Sequence, residues 1–170
     1  MTVHPIRVLG DPVLRETAAP VVEFDRALRK LAKDMTQTMR KAPGVGLAAP
    51  QVGVSLRLFV YDMYDGTEGA VANPELTVVD DTLVTVDEGC LSFPGVHYPL
   101  ARYASVEVRG QDLGGDPITV RPTGDEKDPE YFARCLQHET DHLDGVVYLD
   151  KLPRRLRGKA LRQGPVTADS

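Results

Sequence analysis

The chain has 170 residues, 42% hydrophobic and 26% charged, with a formal net charge of −5 and two cysteines. That size suits one domain able to bury a core around a single cleft, while the acidic balance excludes a general DNA binder and two cysteines are too few for a disulfide framework. Neither a charged-apolar-small leader nor an apolar run of membrane-spanning length is present, so a cytoplasmic protein with reduced thiols is expected.

Residues 25–42 place Leu28, Leu31, Met35, Met39 and Ala42 at helical spacing, and Pro43 with Gly44 stops the run. A long amphipathic helix packed across a sheet is expected there. Residues 44–51 then read Gly44, Val45, Gly46, Leu47, Ala48, Ala49, Pro50, Gln51. The glycines and alanines make room for a close neighbour, and a side-chain amide such as that of Gln51 can donate to an oxygen gaining negative charge in acyl hydrolysis. Taken alone, the segment also reads as a tight turn with small packing residues.

Strand-like runs follow at 56–62, 70–72, 76–79 and 83–87, then at 105–109 and 117–121, with turn signals at Asp80 and Asp81 and at 112–116. Strands joined by short turns and framed by a helix on each side predict an α+β fold with mainly antiparallel sheets. Between the strand runs stand Glu88, Gly89, Cys90, Leu91 and Ser92. A cysteine flanked by glycine there is a small buried hydrophobe or a ligand that the backbone can approach closely.

Asp128 and Pro129 make a good helix start and Gly145 a good stop, with Phe132, Leu136 and Leu143 giving an apolar stripe between them. This central helix carries Gln137, His138, Glu139, Thr140, Asp141 and His142, an H-E-x-x-H pattern. Residues four apart on a helix lie about 6 Å apart along its axis, so both imidazoles can face one divalent ion. Glu139 beside that face can take a proton from a water that the ion activates.

An open catalytic site needs a third protein ligand. A metzincin protease would place a third histidine where this chain has Tyr148, and a protease using a downstream glutamate lacks one, since no glutamate follows Glu139. Cys90 is the best remaining soft ligand, and a cysteine with two histidines suits iron(II) or zinc. Cys135 competes, but seven residues before His142 it lies about 10 Å along the axis and converges poorly, so it reads as a core or pocket-lining residue. The rival readings are a metallopeptidase with another third ligand and a structural metal site in a binding module.

Together these segments resemble the peptide deformylase family, whose motifs G-x-G-L-A-A-x-Q, E-G-C-L-S and Q-H-E-x-D-H-L-x-G are intact and in order. The resemblance covers roughly residues 6–152, including the run from Gly10 to Arg15, and implies a metallohydrolase acting on a linear amide: it removes the N-formyl group from the formylmethionine of new protein chains and releases formate. It implies Cys90, His138 and His142 as ligands of one divalent metal, with iron(II) physiological and zinc, nickel or cobalt as substitutes. Glu139 is the implied general acid and base, and the Gln51 side chain and Leu91 backbone N–H are the implied donors to the developing oxyanion.

Main-chain groups of residues 44–47, among them Gly44, Val45 and Gly46, and of residues 88–91, among them Glu88 and Gly89, are expected to run beside an extended substrate peptide. The same resemblance implies that Val45, Cys135 and the aliphatic part of Glu88 line its methionine pocket, where ordinary core packing is the other reading. Arg102 is expected to bridge to Glu88, Asp141 and Gln137 to serve structurally, and His4 and His97 to bind no metal. Residues 1–152 are therefore read as the catalytic domain and 153–170 as a basic tail. With Lys151, the tail's Arg154, Arg155, Arg157, Lys159 and Arg162 could dock on ribosomal RNA, although Pro153, Gly158, Gly164 and Pro165 favour a solvated or frayed segment.

Overall fold

The computed structural model describes residues 2–164. Helix α1, Arg26–Lys41, begins where the Asp25 carboxylate accepts the Leu28 N–H at 2.9 Å and ends with Arg40 and Lys41 in its last turn, where cations complement the helix dipole. Strand β1 (Gly46–Ala48) and β2 (Leu58–Asp62) follow, then two long strands, β3 (Glu68–Cys90) and β4 (Phe93–Gln111), and a short β5 (Pro117–Val120). All pair antiparallel in the order β1-β2-β3-β4-β5. Helix α2, Pro129–Leu143, completes the core, and α3 (Tyr148–Lys151) and α4 (Arg154–Gln163) close the chain. The expected α+β class with antiparallel pairing holds.

The two main helices cover opposite faces of the same strand. Leu58 and Val60 of β2 pack with Leu28, Ala32, Met35 and Met39 of α1, while Phe59 and Tyr61 pack with Phe132, Ala133 and Leu136 of α2. Side chains alternate along a strand, so the unbroken apolar and aromatic run from Leu58 to Tyr61 in β2 is what burial on both faces requires. Each large side chain so buried contributes about 1.5–3 kcal/mol. This sandwiching fixes α2, and hence its histidines, relative to β1 and β3.

Three expectations about the elements change. Asp80 and Asp81 do not turn the chain; they sit at register shifts within β3, whose pairing with β4 resumes at Leu83 opposite Tyr103. The Asp80 carboxylate accepts the Thr82 N–H at 2.6 Å, supplying locally the hydrogen bond that the irregular ladder leaves out. The strand expected at 105–109 begins at Phe93, because Pro94 and Pro99 lie where β4 has β3 as its one partner and β5 pairs only from Val108 onward. The tail is not frayed over 154–163: Ala160 is fully buried against the cluster of Phe93, Val96, Tyr98 and Tyr148, and the Tyr98 hydroxyl donates to Gln163 Oε1 at 2.6 Å. Gly158 is tolerated because tertiary burial of one face outweighs its weak propensity. The end of the expected tail, 165–170, lies outside the described residues. No helix among the described residues is long and apolar enough to cross a membrane.

Candidate metal centre and cleft

Helix α2 starts with the Asp128 carboxylate accepting the Tyr131 N–H at 2.9 Å and Pro129 in its first turn. From there the helical period carries His138 and His142 to one buried face, with their Nε2 atoms 3.2 Å apart. The last residues of β3 bring Cys90 to the same point through a register shift between Glu88 and Cys90, and Cys90 Sγ lies 3.3 Å from His142 Nε2. The three donor atoms lie within 4.8 Å of one another. One sulfur and two imidazole nitrogens converging so closely suit a divalent ion of the iron(II) or zinc type, with a coordination position left open.

Glu88 orients this cluster. Its carboxylate Oε1 faces His138 Nδ1 at 2.7 Å and accepts from Arg102 at 2.6 Å, while Oε2 accepts from Arg134 at 2.7 Å and from Arg102 Nε at 3.0 Å. With Nδ1 donating to Glu88, the lone pair of His138 Nε2 is turned to the cluster. Burial alone would raise the Glu88 carboxyl, but the hydrogen bonds from His138 and Arg102 outweigh it and hold the group well below the usual carboxylate range. Arg102 also donates to Asp141 at 2.6 Å, and Lys151 reaches the other Asp141 oxygen at 3.2 Å. A chain of alternating charge thus runs from the surface to the ligand His138.

The two histidines are driven apart electrically. Burial lowers His138, yet the charge and hydrogen bond of Cys90 and the hydrogen bond to Glu88 overcome it and the group ends well above its ordinary value. Burial and the charge on His138 push His142 well below. His142 Nδ1 is buried without a hydrogen-bond partner among the described residues.

Glu139 is buried beside the cluster, and its Oε2 also lacks a partner among the described residues. Burial pushes its carboxyl up to about 7, with the charge on His138 opposing. A carboxyl poised near neutrality is suited to take and return protons. Gly46 makes this placement possible, since a Cβ added there would lie 2.4 Å from Glu139 Oε1.

Gln51 is fixed in the sense that its amide requires. Its Oε1 accepts the Ala48 N–H at 2.9 Å, leaving Nε2 to donate to Ser92 Oγ at 3.1 Å and toward Cys90 Sγ at 3.6 Å. A cavity of about 400 Å³ opens beside these groups. Gly44, Val45 and Gly46 line it from β1 and the residues before it, and Glu88, Gly89, Cys90 and Leu91 line it from the end of β3; Gln51, Cys135, His138 and Glu139 line it as well. The structure therefore brings the expected catalytic and substrate-side residues to one cavity, with His142 behind its wall as part of the candidate metal-binding cluster. Cys135 is no member of that cluster and contacts the Val45 carbonyl at 3.6 Å.

Asp141 and Gln137 have structural contacts, as expected: Gln137 donates to the Tyr103 carbonyl at 2.9 Å and accepts the Tyr103 N–H at 3.1 Å. The sequence reading gives no site role to Arg134, Ser92, Tyr131 or His97, all of which the structure places at the cavity or against its residues. Nothing in the sequence marks the partner of Arg134: Glu130, four residues earlier on the helix, offers a local counter-ion, whereas the structure pairs Arg134 with Glu88. His97 lies outside the cluster of Cys90, His138 and His142 and stands with its ring against Gly89 at the cavity.

Comparison with known proteins agrees with this geometry. The chain is 50% identical over 162 residues to a peptide deformylase of Acidothermus cellulolyticus, covering 95% of this chain and 86% of that protein. The crystal structure of a peptide deformylase from Thermus thermophilus superposes with a TM-score of 0.85 at 44% identity, covering 94% of this chain and 92% of that one. A peptide deformylase structure from Legionella pneumophila gives 0.85 at 40% identity over 95% and 92% of the two chains. Residues 3–157 match the profile of the family described as polypeptide deformylase, and the chain belongs to that family.

Proposed function

We propose that Cys90, His138 and His142 hold one divalent ion with which this chain, a member of the deformylase family, removes the N-formyl group of formylmethionyl peptides. The observation that carries this reading is the convergence of three soft and borderline donors beside a buried carboxyl, one of whose oxygens has no partner among the described residues. Iron(II) is the ion proposed for the cell, with zinc, nickel or cobalt as substitutes, because a thiolate with two imidazoles suits all of them. When bound, the ion supplies positive charge that polarises the formyl carbonyl and acidifies water.

The remaining work falls to this chain's own groups. Glu139 accepts a proton from water as the C–O bond forms, then delivers it to the nitrogen as the C–N bond breaks, leaving formate and a free amine. The Gln51 amide, its oxygen already engaged by Ala48, and the Leu91 N–H donate to the oxygen that becomes negative, and losing one such donor typically costs about 100- to 1,000-fold in rate.

β1 is an edge strand, and β3 pairs with β2 only over Glu68–Ala72, so the end of β3 also has an open edge. An extended peptide between the two edges would be held by main-chain bonds to Gly44, Val45, Gly46, Glu88 and Gly89, a mode that accepts many sequences. Val45, Cys135 and the stem of Glu88 are proposed to receive the methionine side chain.

Residues 1–152 are proposed as the catalytic unit of a cytoplasmic enzyme, with the basic segment after it a contact to ribosomal RNA. Arg154, Arg155, Arg157, Lys159 and Arg162 are exposed on α4, which supports that reading. Because α4 is packed into the core, deleting it would confound the test. Arg154→Gln, Arg155→Gln and Arg162→Gln together should weaken ribosome binding at low salt; unchanged binding removes the proposal.

The function itself is tested by formate release from formyl-Met-Ala-Ser, using protein purified without oxygen and with metal content measured. Release by wild type, lost in Glu139→Ala with the metal retained, is expected. No release from folded, fully metallated protein would overturn the assignment.

A further inference from the structure

The turn between β2 and β3, residues 63–67, lies outside every motif above, yet it bonds to Gly44 in the cleft wall and to the segment that leads into α2, and the strand ends on either side of it are tied to α1. The Tyr64 hydroxyl donates to the Gly44 carbonyl at 3.0 Å. Asp65 Oδ2 accepts the Lys127 N–H at 3.0 Å, one residue before the Asp128 cap of α2. Arg40, in the last turn of α1, donates to Asp62 Oδ2 at 2.7 Å and also pairs with Glu68.

Tyr64 holds a left-handed backbone, φ 58°, which a residue with a Cβ seldom adopts. The conformation is maintained by the Asp62 carboxylate, whose Oδ1 accepts the Tyr64 N–H at 2.9 Å. Its side chain is 57% exposed, so burial of the ring does not explain it. What the conformation achieves is the reach of the hydroxyl to Gly44. Sterically disfavoured backbone of this kind concentrates where geometry serves function.

We propose that Tyr64 is a positioning residue for the substrate-binding edge: its hydroxyl fixes the Gly44–Val45 peptide plane so that the Val45 N–H faces the cleft. This rests on the deformylase reading above. The Gly44 N–H is already tied to the Met39 carbonyl at 3.0 Å, and the Val45 carbonyl accepts the Asp62 N–H at 2.9 Å. The peptide unit between them is therefore held on both flanks, and its own carbonyl is held by Tyr64. In a trans peptide the N–H points opposite to the carbonyl. Gly44 and Val45 both line the cavity and Tyr64 does not, so a Gly44 carbonyl directed to Tyr64 points away from the cavity and the Val45 N–H, on the opposite side of the same peptide, points toward it. That N–H makes no backbone hydrogen bond among the described residues, and it stands immediately before the open edge of β1. It is the donor that a carbonyl of an extended substrate peptide would meet.

The test is Tyr64→Phe, which removes the hydroxyl alone, beside Tyr64→Asn, which suits the left-handed backbone but cannot reach Gly44. Both should raise the KM for formyl-Met-Ala-Ser by about three- to ten-fold, as expected for one hydrogen bond, while kcat stays within about two-fold and metal content is unchanged. Amide exchange at Val45 in the substrate-free protein should quicken in both variants. A KM unchanged in both, or a loss in kcat of the same size as that in kcat/KM, overturns the proposal, as does a fall in Tm with no change in KM or in Val45 exchange. Wild-type protein that releases no formate would sink the deformylase reading instead, and the exchange measurement would still decide whether Tyr64 holds the edge.

Discussion

Glu139 is buried, and one of its oxygens has no partner among the described residues, a placement that destabilises its charged form. With its carboxyl pushed up to about 7 from an ordinary value of 4.5, the metal-free fold keeps a proton that the unfolded chain has lost between those two values. The associated stability is fully present below about 4.5 and gone above about 7. Glu139→Gln never has to ionise, so metal-free variant protein should be more stable than wild type at pH 8, by up to about 3 kcal/mol, with the gap closing toward pH 4.5. Urea unfolding of the two proteins across that range measures it; parallel curves would mean that burial does not disfavour the Glu139 charge. Gly46 is tied to the same carboxylate by the 2.4 Å approach of a notional Cβ. Gly46→Ala should therefore displace Glu139 and lower kcat/KM about 100-fold with the metal retained, since misplacement by about 1 Å can cost that much. Wild-type rates in Gly46→Ala would show that the carboxylate can shift freely.

Between elements, the site is held by one buried ionic cluster, because Arg102 of β4 bonds Glu88 of β3 and Asp141 of α2. Burying these charges is favourable only while each keeps its partners. Arg102→Met leaves Glu88 with Arg134 and His138 and leaves Asp141 with Lys151, and it should destabilise the protein by about 3–5 kcal/mol. Metal affinity should fall with it by about 10- to 100-fold, because Glu88 orients His138. Thermal unfolding and chelator competition on the same variant separate the two effects. A fall in stability with unchanged metal affinity would assign Arg102 to the fold alone.

For the molecule as a whole, metal and fold are coupled, since the ligands come from two segments far apart in the chain that meet only in the folded state. An ion that binds only the folded form adds about 4 kcal/mol of stability at a thousand-fold excess over its Kd, so chelation should lower Tm by several degrees. No shift in Tm would mean that the centre forms without holding the ion tightly. Much of this is legible in the sequence. His138, Glu139 and His142 are local, since helical period alone brings them to one face, and the caps Asp128 and Asp25 announce their helices. Arg134, Tyr64 and the pairing of residues 93–104 are not legible, because nothing near them in sequence marks their partners: Arg134 meets Glu88 and Val84, Tyr64 meets Gly44, and Pro94 and Pro99 read as breakers until β3 lies beside them. The tail departs from expectation for the same reason, as weak helix propensity around Gly158 is outweighed by burial of Ala160. By itself, then, the sequence determined the chemistry of the donors, the helix that carries them and the class of fold, which depend on short-range periodicity and residue type. The tertiary structure alone decided which way the Glu88 and Gln51 side chains face, that Glu139 lies in a space only Gly46 leaves open, and that α4 is docked, because each depends on contacts between residues distant in the chain.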